Sequence, residues 1–455
     1  MVKTGKAPIT LMTYLAIMSI SLIVNLPGLA VAPMEGKLKE ILHAPELEVQ
    51  LLTTLPNFII IPFVLLSGKL SEAKHKIPII VGALLLYSGC AIWYLFAGDM
   101  TSLIIISCLL GCGAGLLIPF STGLIAETFG GKIRMKQMGW QSGISNSTVV
   151  IATFAVGWLI QGKNWHLPFV VYLAAIIPLI FSFWLKHVPG IDTSSKEEQK
   201  DMEIQPGAVP PPAIKEVEQR DPKVTKEEAK VARTVDVPSN NEKVSGSGFN
   251  YGRIWALIGV YFLVTFTSIA ITNFSSQLTV QYGWKSSIAG DVTSIFFLFV
   301  LIPGYILPWF VKRLRGGTFF WTALMLTIGL GLFVFFHAKW AMFVGAGLAG
   351  LGYGICQPML YDKASYTVTN PEKLTMALAF VLTANYLAIA IEPFIISGVS
   401  NLFHIKNENL FAFILSFGLV VAYTIVILFT RKKFAFSVDK SYYEDSALTD
   451  NSEHP

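Results

Sequence analysis

The stretches GCGAGLLIP (Gly111–Pro119) and GLGYGICQP (Gly350–Pro358) spell one word twice. In each, three glycines alternate with other residues, and a proline follows four positions after the last glycine. The copies stand 239 residues apart, a little over half of the 455-residue chain. An alternating glycine run can open a dinucleotide-binding loop, but only after a strand and before a helix of a βαβ unit. Both copies here lie inside long apolar runs. In that setting Gly111 with Gly115, and Gly350 with Gly354, are four-apart pairs that let helices approach closely. Pro119 and Pro358 are expected to bend each helix past that contact. Direct contact with a ligand is the alternative role for these residues.

Composition supports the apolar setting. The chain is 53% hydrophobic and only 14% charged, with 32 Phe and a mean hydropathy of +0.59. Soluble domains carry about 25% charged residues. Apolar runs of twenty or more residues recur from end to end, each long enough to cross a hydrocarbon core of about 30 Å as a helix. The chain therefore reads as an all-α, multi-pass integral membrane protein, in a cell (inner or plasma) membrane. Its first apolar run, about 9–34, follows Lys3 and Lys6 as a signal peptide would. It is too long for one and lacks a small-residue cleavage site, so it is expected to stay as a span. Cys90, Cys108, Cys112 and Cys356 all lie in apolar runs. Thiols without His or acidic company make a poor metal site, and they read as packing residues. No metal or other cofactor is expected, and no nucleophile–base constellation or phosphate loop points to an enzyme.

Apolar runs and their breaks predict twelve spans, at about 9–34, 47–70, 77–98, 101–128, 136–161, 166–187, 252–280, 287–311, 317–338, 340–361, 374–402 and 408–430. They form two six-helix bundles, residues 1–187 and 251–433. Between them, residues 188–250 hold nine Lys or Arg and twelve Asp or Glu, with PGAVPPP and SGSG. Such a segment cannot bury enough apolar surface to offset its ordering entropy, which predicts a mostly disordered linker. Residues 434–455 read as an acidic tail. Lys69, Lys74, Lys76, Lys132, Arg134, Lys136, Lys312, Arg313, Arg315, Lys363 and Lys373 fall on one side, eleven in all, against six on the other. The basic side is expected to be cytoplasmic, together with both termini and the linker. The net charge of +5 reflects those loops and does not indicate nucleic acid.

The doubled word falls in the fourth span of each half. Asn146 in span 5 maps onto Asn385 in span 11 by the same offset, and Gly68 to Lys76 has the spacing of Gly304 to Lys312. These pairs and the midpoint linker imply a six-plus-six duplication. The chain thereby resembles the major facilitator superfamily of secondary transporters over nearly its whole length. That family's loop between spans 2 and 3 runs glycine, any, apolar, small, aspartate, basic, any, glycine, basic, basic. GKLSEAKHKI (Gly68–Ile77) keeps Gly68, Leu70, Ser71 and Lys76; Glu72 replaces the aspartate, Ala73 a basic residue and His75 the second glycine. The arginine and glutamine that proton-coupled exporters carry before the span 4 glycines are Ser107 and Leu110 here. The exporters' span 5 proline is missing after Gly143 and Gly157.

The resemblance implies a central cavity lined by spans 1, 4, 7 and 10 and flanked by spans 2, 5, 8 and 11. Polar side chains at membrane depth in those spans are the substrate-cavity candidates, since facing lipid they would be costly. They are Asn25, Asn57, Asn146, Asn273, Gln277, Gln357 and Asn385. Bonds between helices are the alternative use of these amides, and Asn273 sits close to the outer end. Pro27 and Gly28 are expected to loosen the helix at Asn25. Glu392, in AIAIEPFII, is the one carboxylate placed well inside the hydrocarbon depth. Desolvation disfavours its charged form, which makes it a candidate proton carrier or partner of a cationic substrate. The alternative is a protonated side chain bonded to backbone freed by Pro393. Glu72, with Lys74 and Lys76, is a candidate latch between the halves.

No Lys or Arg lies at comparable depth, which disfavours a strongly anionic substrate. The expected function is proton-coupled secondary transport of a small neutral or cationic organic molecule by alternating access, as an antiporter working outward. An uptake symporter or uniporter for a sugar, amino acid or monocarboxylate is the second reading, and a transporter-like receptor signalling through its linker the third. The expected partners are a small-molecule substrate, protons as coupling ion and the lipid bilayer, with the protein itself a monomer.

Overall fold

The computed structural model describes residues 8–28, 46–71, 76–159, 164–188, 248–284, 287–369, 373–405 and 407–443, with a few single positions between Val2 and His43. Among them the fold is all-helical, with two isolated β-bridges as the only strand-like pairing. The first half contains α1 (Leu11–Ser19, continued as a 3-10 turn to Leu22), α2 (Glu46–Leu70), α3 (Ile77–Tyr94), α4 (Met100–Thr128) and α5 (Gly131–Leu159). It ends in α6 (Ile176–Phe181), which 3-10 segments extend from Leu167 to His187. The second half contains α7 (Tyr251–Gln281), α8 (Ser287–Leu314), α9 (Thr318–Phe335), α10 (Lys339–Ala364), α11 (Leu374–Leu402) and α12 (Glu408–Thr430).

Helix starts follow local chemistry. Asp99, Asn250 and Asn407 cap α4, α7 and α12, each accepting the backbone N–H three residues on and satisfying a donor the helix itself leaves open. Hydrogen bonds from the Ser102 hydroxyl and N–H hold Asp99 below the usual carboxylate range. A kink in α8 at Ile306 (φ −115°, ψ 25°) lies between Pro303 and Pro308, where the ladder loses two donors. α4, α10 and α11 instead continue through Pro119, Pro358 and Pro393.

Among the described residues, eight apolar helical stretches are long enough to cross a membrane, one of them (residues 288–335) interrupted by a 3-10 turn at Arg315–Gly317. The residues that face outward are large and apolar: Phe154, Trp158, Phe183, Trp255 and Phe429 are all exposed. Many polar residues, among them Ser107, Thr122, Asn146, Gln357 and Glu392, are buried. An apolar exterior around a partly polar interior suits a lipid solvent.

The repeat is visible in the packing. Within the first half α4 packs on α2 and α3; within the second, α10 packs on α8 and α9. Between halves α5 packs on α8 and α10, while α11 packs on α2 and α4, the same scheme with the halves exchanged. The glycine word explains both cores. A Cβ on Gly111 or Gly115 would lie 2.9 Å or 2.8 Å from the carbonyl oxygens of Pro56 and Ile60 in α2, and one on Gly113 would lie 3.3 Å from the Ala83 oxygen in α3. In the second half Gly350 and Gly354 meet Phe296 and Val300 of α8, and Gly352 meets Thr322 of α9. Each word therefore seats its helix on two neighbours at once.

One expected span ends early as a helix, and other expected segments fall outside the described residues. The first helix stops at Leu22; a turn follows, and Gly28 adopts φ +77°. The expected span of 9–34 is thus helical only over its first part, residues 29–33 lying outside the described set. The expected linker falls largely on residues 189–247, and Glu72 and Lys74 on 72–75, all likewise outside the described set. The start of the expected tail packs on the helices: Ala435, Phe436, Val438 and Tyr442 are buried, and Phe436 packs edge-on against Phe319 and Tyr423.

Candidate functional site: an uncharged cavity between the bundles

Between the two bundles lies a cavity enclosing about 680 Å³ of space, its open mouth included. From the first half it is lined by Val24, Asn25 and Pro27 of the turn after α1, Asn57 and Ile60 of α2, and Asn146 of α5. The second half adds Thr265, Ser268 and Ile269 of α7 and the phenyl rings of Phe296 and Phe297 in α8. Tyr353 and Gln357 of α10, with Asn385, Tyr386 and Ile389 of α11, complete the wall. None of these side chains is charged.

Five of the seven amides singled out from sequence meet here: Asn25, Asn57, Asn146, Gln357 and Asn385. Gln277 does not; it is exposed near the end of α7, more than two turns beyond the lining residue Ile269. α4 contributes no lining residue among those described, because its glycine face is occupied by α2 and α3. Sequence reasoning missed Thr265, Ser268, Tyr353, Tyr386 and the two phenylalanines, which carry no signal distinguishing them from ordinary helix residues.

A chain of hydrogen bonds crosses the bundle interface at one end of the cavity. Asn146 Nδ2 donates to the Ser142 carbonyl oxygen at 2.7 Å, and the Ser142 hydroxyl donates to Gln357 Oε1 at 2.8 Å. Gln357 Nε2 donates to the hydroxyls of Tyr361 (2.9 Å) and Tyr261 (3.0 Å), which bond each other at 2.7 Å. Every polar atom of the buried Gln357 amide is thus paired within the protein. Asn385 Oδ1 accepts from Thr265 (2.9 Å) and Tyr353 (3.0 Å).

Beyond that chain, towards the basic loops, the bundles are locked together. Lys76 Nζ donates to both oxygens of Glu127 at 2.9 and 3.0 Å, and Thr375 of the second half donates to the same carboxylate at 2.8 Å. Lys76, of the expected latch, thus pairs with Glu127. Arg134 Nε bonds Asp362 Oδ1 at 2.8 Å across the halves, with its guanidinium 4.6 Å above the Tyr366 ring. The second Asp362 oxygen accepts from Tyr442 at 2.6 Å, and Tyr442 bonds Tyr366 at 2.7 Å. Burial, and next the Asp362 charge, push the Tyr442 phenol up, so it stays a donor. Lys363 donates to the Phe434 carbonyl, so the segment after α12 closes over this cluster. Backbones also touch here: a Cβ on Gly304 would lie 2.5 Å from Gly143 N, and one on Gly68 would lie 2.8 Å from the Ala379 Cβ.

Glu392 lies on the other side of the cavity and is fully buried. Asn273 Nδ2 donates to its Oε2 at 2.9 Å, while its Oε1 has no partner among the described residues. The backbone bond allowed by Pro393 is therefore not made. Asn273 and Glu392 stand one turn beyond the lining residues Ile269 and Ile389 on the same two helices. About 15 Å of helix separate Glu392 from the end of α11 at Leu402. Asn273 is a partner of this carboxyl rather than a lining residue.

Among solved structures, the fold is similar to the proton:xylose symporter XylE bound to 6-bromo-6-deoxy-D-glucose, with a TM-score of 0.67 at 14% identity over 95% of this chain and 97% of that one. It is also similar to the human organic anion transporter MFSD10 (TETRAN), with a TM-score of 0.65 at 15% identity over 92% and 100%. Among curated proteins, the multidrug transporter protein MdtP of Bacillus subtilis (strain 168) is 31% identical over 117 residues. That match takes in 26% of this chain and spans only about a fifth of the relative's length, 22%. Residues 8–391 match the family description of the Major Facilitator Superfamily. With that match over most of its length, a fold shared end to end with two transporters of the group and two exchange-related helical bundles, the chain belongs to the Major Facilitator Superfamily.

Proposed function

We propose that the protein is a proton-coupled secondary transporter that moves a small uncharged or cationic organic molecule by alternating access, outward. The observation that carries this reading is an uncharged, amide-lined cavity held between two pseudo-symmetric bundles, with one buried carboxyl a turn away. The bundles are joined through Arg134–Asp362 and Lys76–Glu127–Thr375 on the basic side, which is the cytoplasmic side by its loop charge. Rocking the bundles apart there would expose the cavity to the cytoplasm. The outward direction leans on the resemblance drawn from the sequence, with MdtP, similar over 117 residues, named a multidrug transporter. Each bundle keeps to its own repeat, residues 1–187 and 251–433.

Glu392 carries the coupling proton in this scheme. It is the buried carboxyl beside the cavity, and its unpartnered Oε1 can take a proton without breaking the Asn273 bond. In proteoliposomes, Glu392→Gln should abolish substrate movement driven by a pH gradient while leaving substrate exchange at equal pH intact. Gradient-driven movement at the wild-type rate would remove Glu392 from the mechanism. Accumulation in cells rather than depletion would reverse the direction and favour uptake.

A further inference from the structure

Asn146 and Asn385 occupy equivalent positions of the two repeats and face one cavity from opposite bundles. Their amides are held in opposite senses. Asn146 Nδ2 is bound to the Ser142 carbonyl, an atom that can only accept, so the amide cannot be turned and its Oδ1 is left over. Asn385 Oδ1 already accepts from two hydroxyls, those of Thr265 and Tyr353, so its Nδ2 is left over. Neither remaining atom has a partner among the described residues, and neither is sealed from the cavity although both residues are buried. The repeat therefore places an acceptor on one wall and a donor on the other.

From this geometry we infer that the cavity binds a neutral molecule whose polar edge carries a hydrogen-bond donor beside an acceptor, as an amide, lactam or ureide does, on an aromatic or apolar body. This names the ligand class of the transport site and rests on the transport reading above. The ligand's N–H meets Asn146 Oδ1 and its carbonyl meets Asn385 Nδ2. Phe296, Phe297, Tyr353, Tyr386 and the two isoleucines Ile269 and Ile389 cover the body. A charged group would have no counter-ion in this wall and would forfeit its hydration. A polyol gains little from Gln357, Thr265 and Ser268, which already bond protein partners.

Three probes of one size separate the possibilities: benzamide, benzoate and benzylammonium, titrated by ligand-observed NMR against the full chain in lipid nanodiscs. Benzamide should bind at least tenfold more tightly than either ion. Asn146→Leu and Asn385→Leu should each weaken it about tenfold, with melting temperatures reported alongside to show that both variants fold. Asn385→Asp, which keeps the bonds accepted from Thr265 and Tyr353 and turns the remaining donor into a charged acceptor, should raise benzylammonium binding about tenfold and leave benzoate unbound. If benzoate or benzylammonium matches benzamide in the wild type, and the leucine variants remove it, the neutral class is wrong while the cavity remains the site. If no probe responds to Asn146 or Asn385, the cavity is not the binding site and the transport reading of it falls as well.

Discussion

The two six-helix halves use one scaffold and fill it differently. In α4 and α10 the three glycines contact the same pair of neighbouring helices in each half, so the close-packed parts are copies. Directly beyond, Ile118 of α4 is a buried apolar residue, whereas its counterpart Gln357 of α10 is the centre of a network reaching Ser142, Tyr261 and Tyr361. Ser142 corresponds to Val381 in the second half, so neither partner of this bond exists twice. Duplication preserved what packs backbone on backbone, where any side chain collides. Polar pairs diverged, since each needs only one partner at one place.

The strongest way to break the shared part is to fill it. Gly354→Leu in α10 and Gly115→Leu in α4 should both prevent folding, because a Cβ already falls inside contact distance of the Val300 and Ile60 carbonyl oxygens. The milder alanine changes should each cost about 1–3 kcal/mol. Gly82→Ala and Gly418→Ala, where nothing lies within 4 Å, should be neutral or stabilising. Size-exclusion profiles and thermal melting of detergent-purified protein would check this, and a tolerated Gly354→Leu would contradict the packing.

The ion pairs on the basic side come next. Asp362→Asn leaves Arg134 without its anion in a site where the Asp362 side chain is 2% exposed, and should cost about 3 kcal/mol. Glu127→Gln disturbs a pair exposed by 15% on that side and should cost about 1 kcal/mol. Both should favour opening of the basic side, read as faster labelling of a cysteine placed at the buried Thr128, so equal effects would show that the two pairs are not ranked by burial. The smallest change is Ser142→Ala, expected to cost about 1 kcal/mol through the lost bond to Gln357. Gln357→Ile, which makes the halves alike at this place, should exceed it, because Tyr261 and Tyr361 lose their donor as well.

Most helix positions were legible in the sequence. α11 and α12 begin and end where the apolar runs do, since a membrane span is set by local hydropathy and length. α1 was overextended, because the apolar run continues through Ile23 and Leu26 while Pro27 and Gly28 break the helix geometry. At the site, five of the amides chosen for their depth line one cavity, as polar groups in a membrane span are costly facing lipid. Gln277 lies exposed near the end of α7, because hydropathy does not register which side of a long helix meets its neighbours there.

The sequence by itself determined the membrane class, the duplicated halves and the glycine seats, all of which follow from local composition and an internal repeat. Only the tertiary structure decided that Asn146 and Asn385 line one cavity with opposite atoms left over, that Glu392 pairs with Asn273 outside the cavity, and that Tyr442 closes on Asp362. Each of those depends on which helices meet and on how a limited set of donors and acceptors is shared between them. Asn273 and Glu392 are 119 positions apart and Asp362 and Tyr442 80, and no local pattern records the outcome.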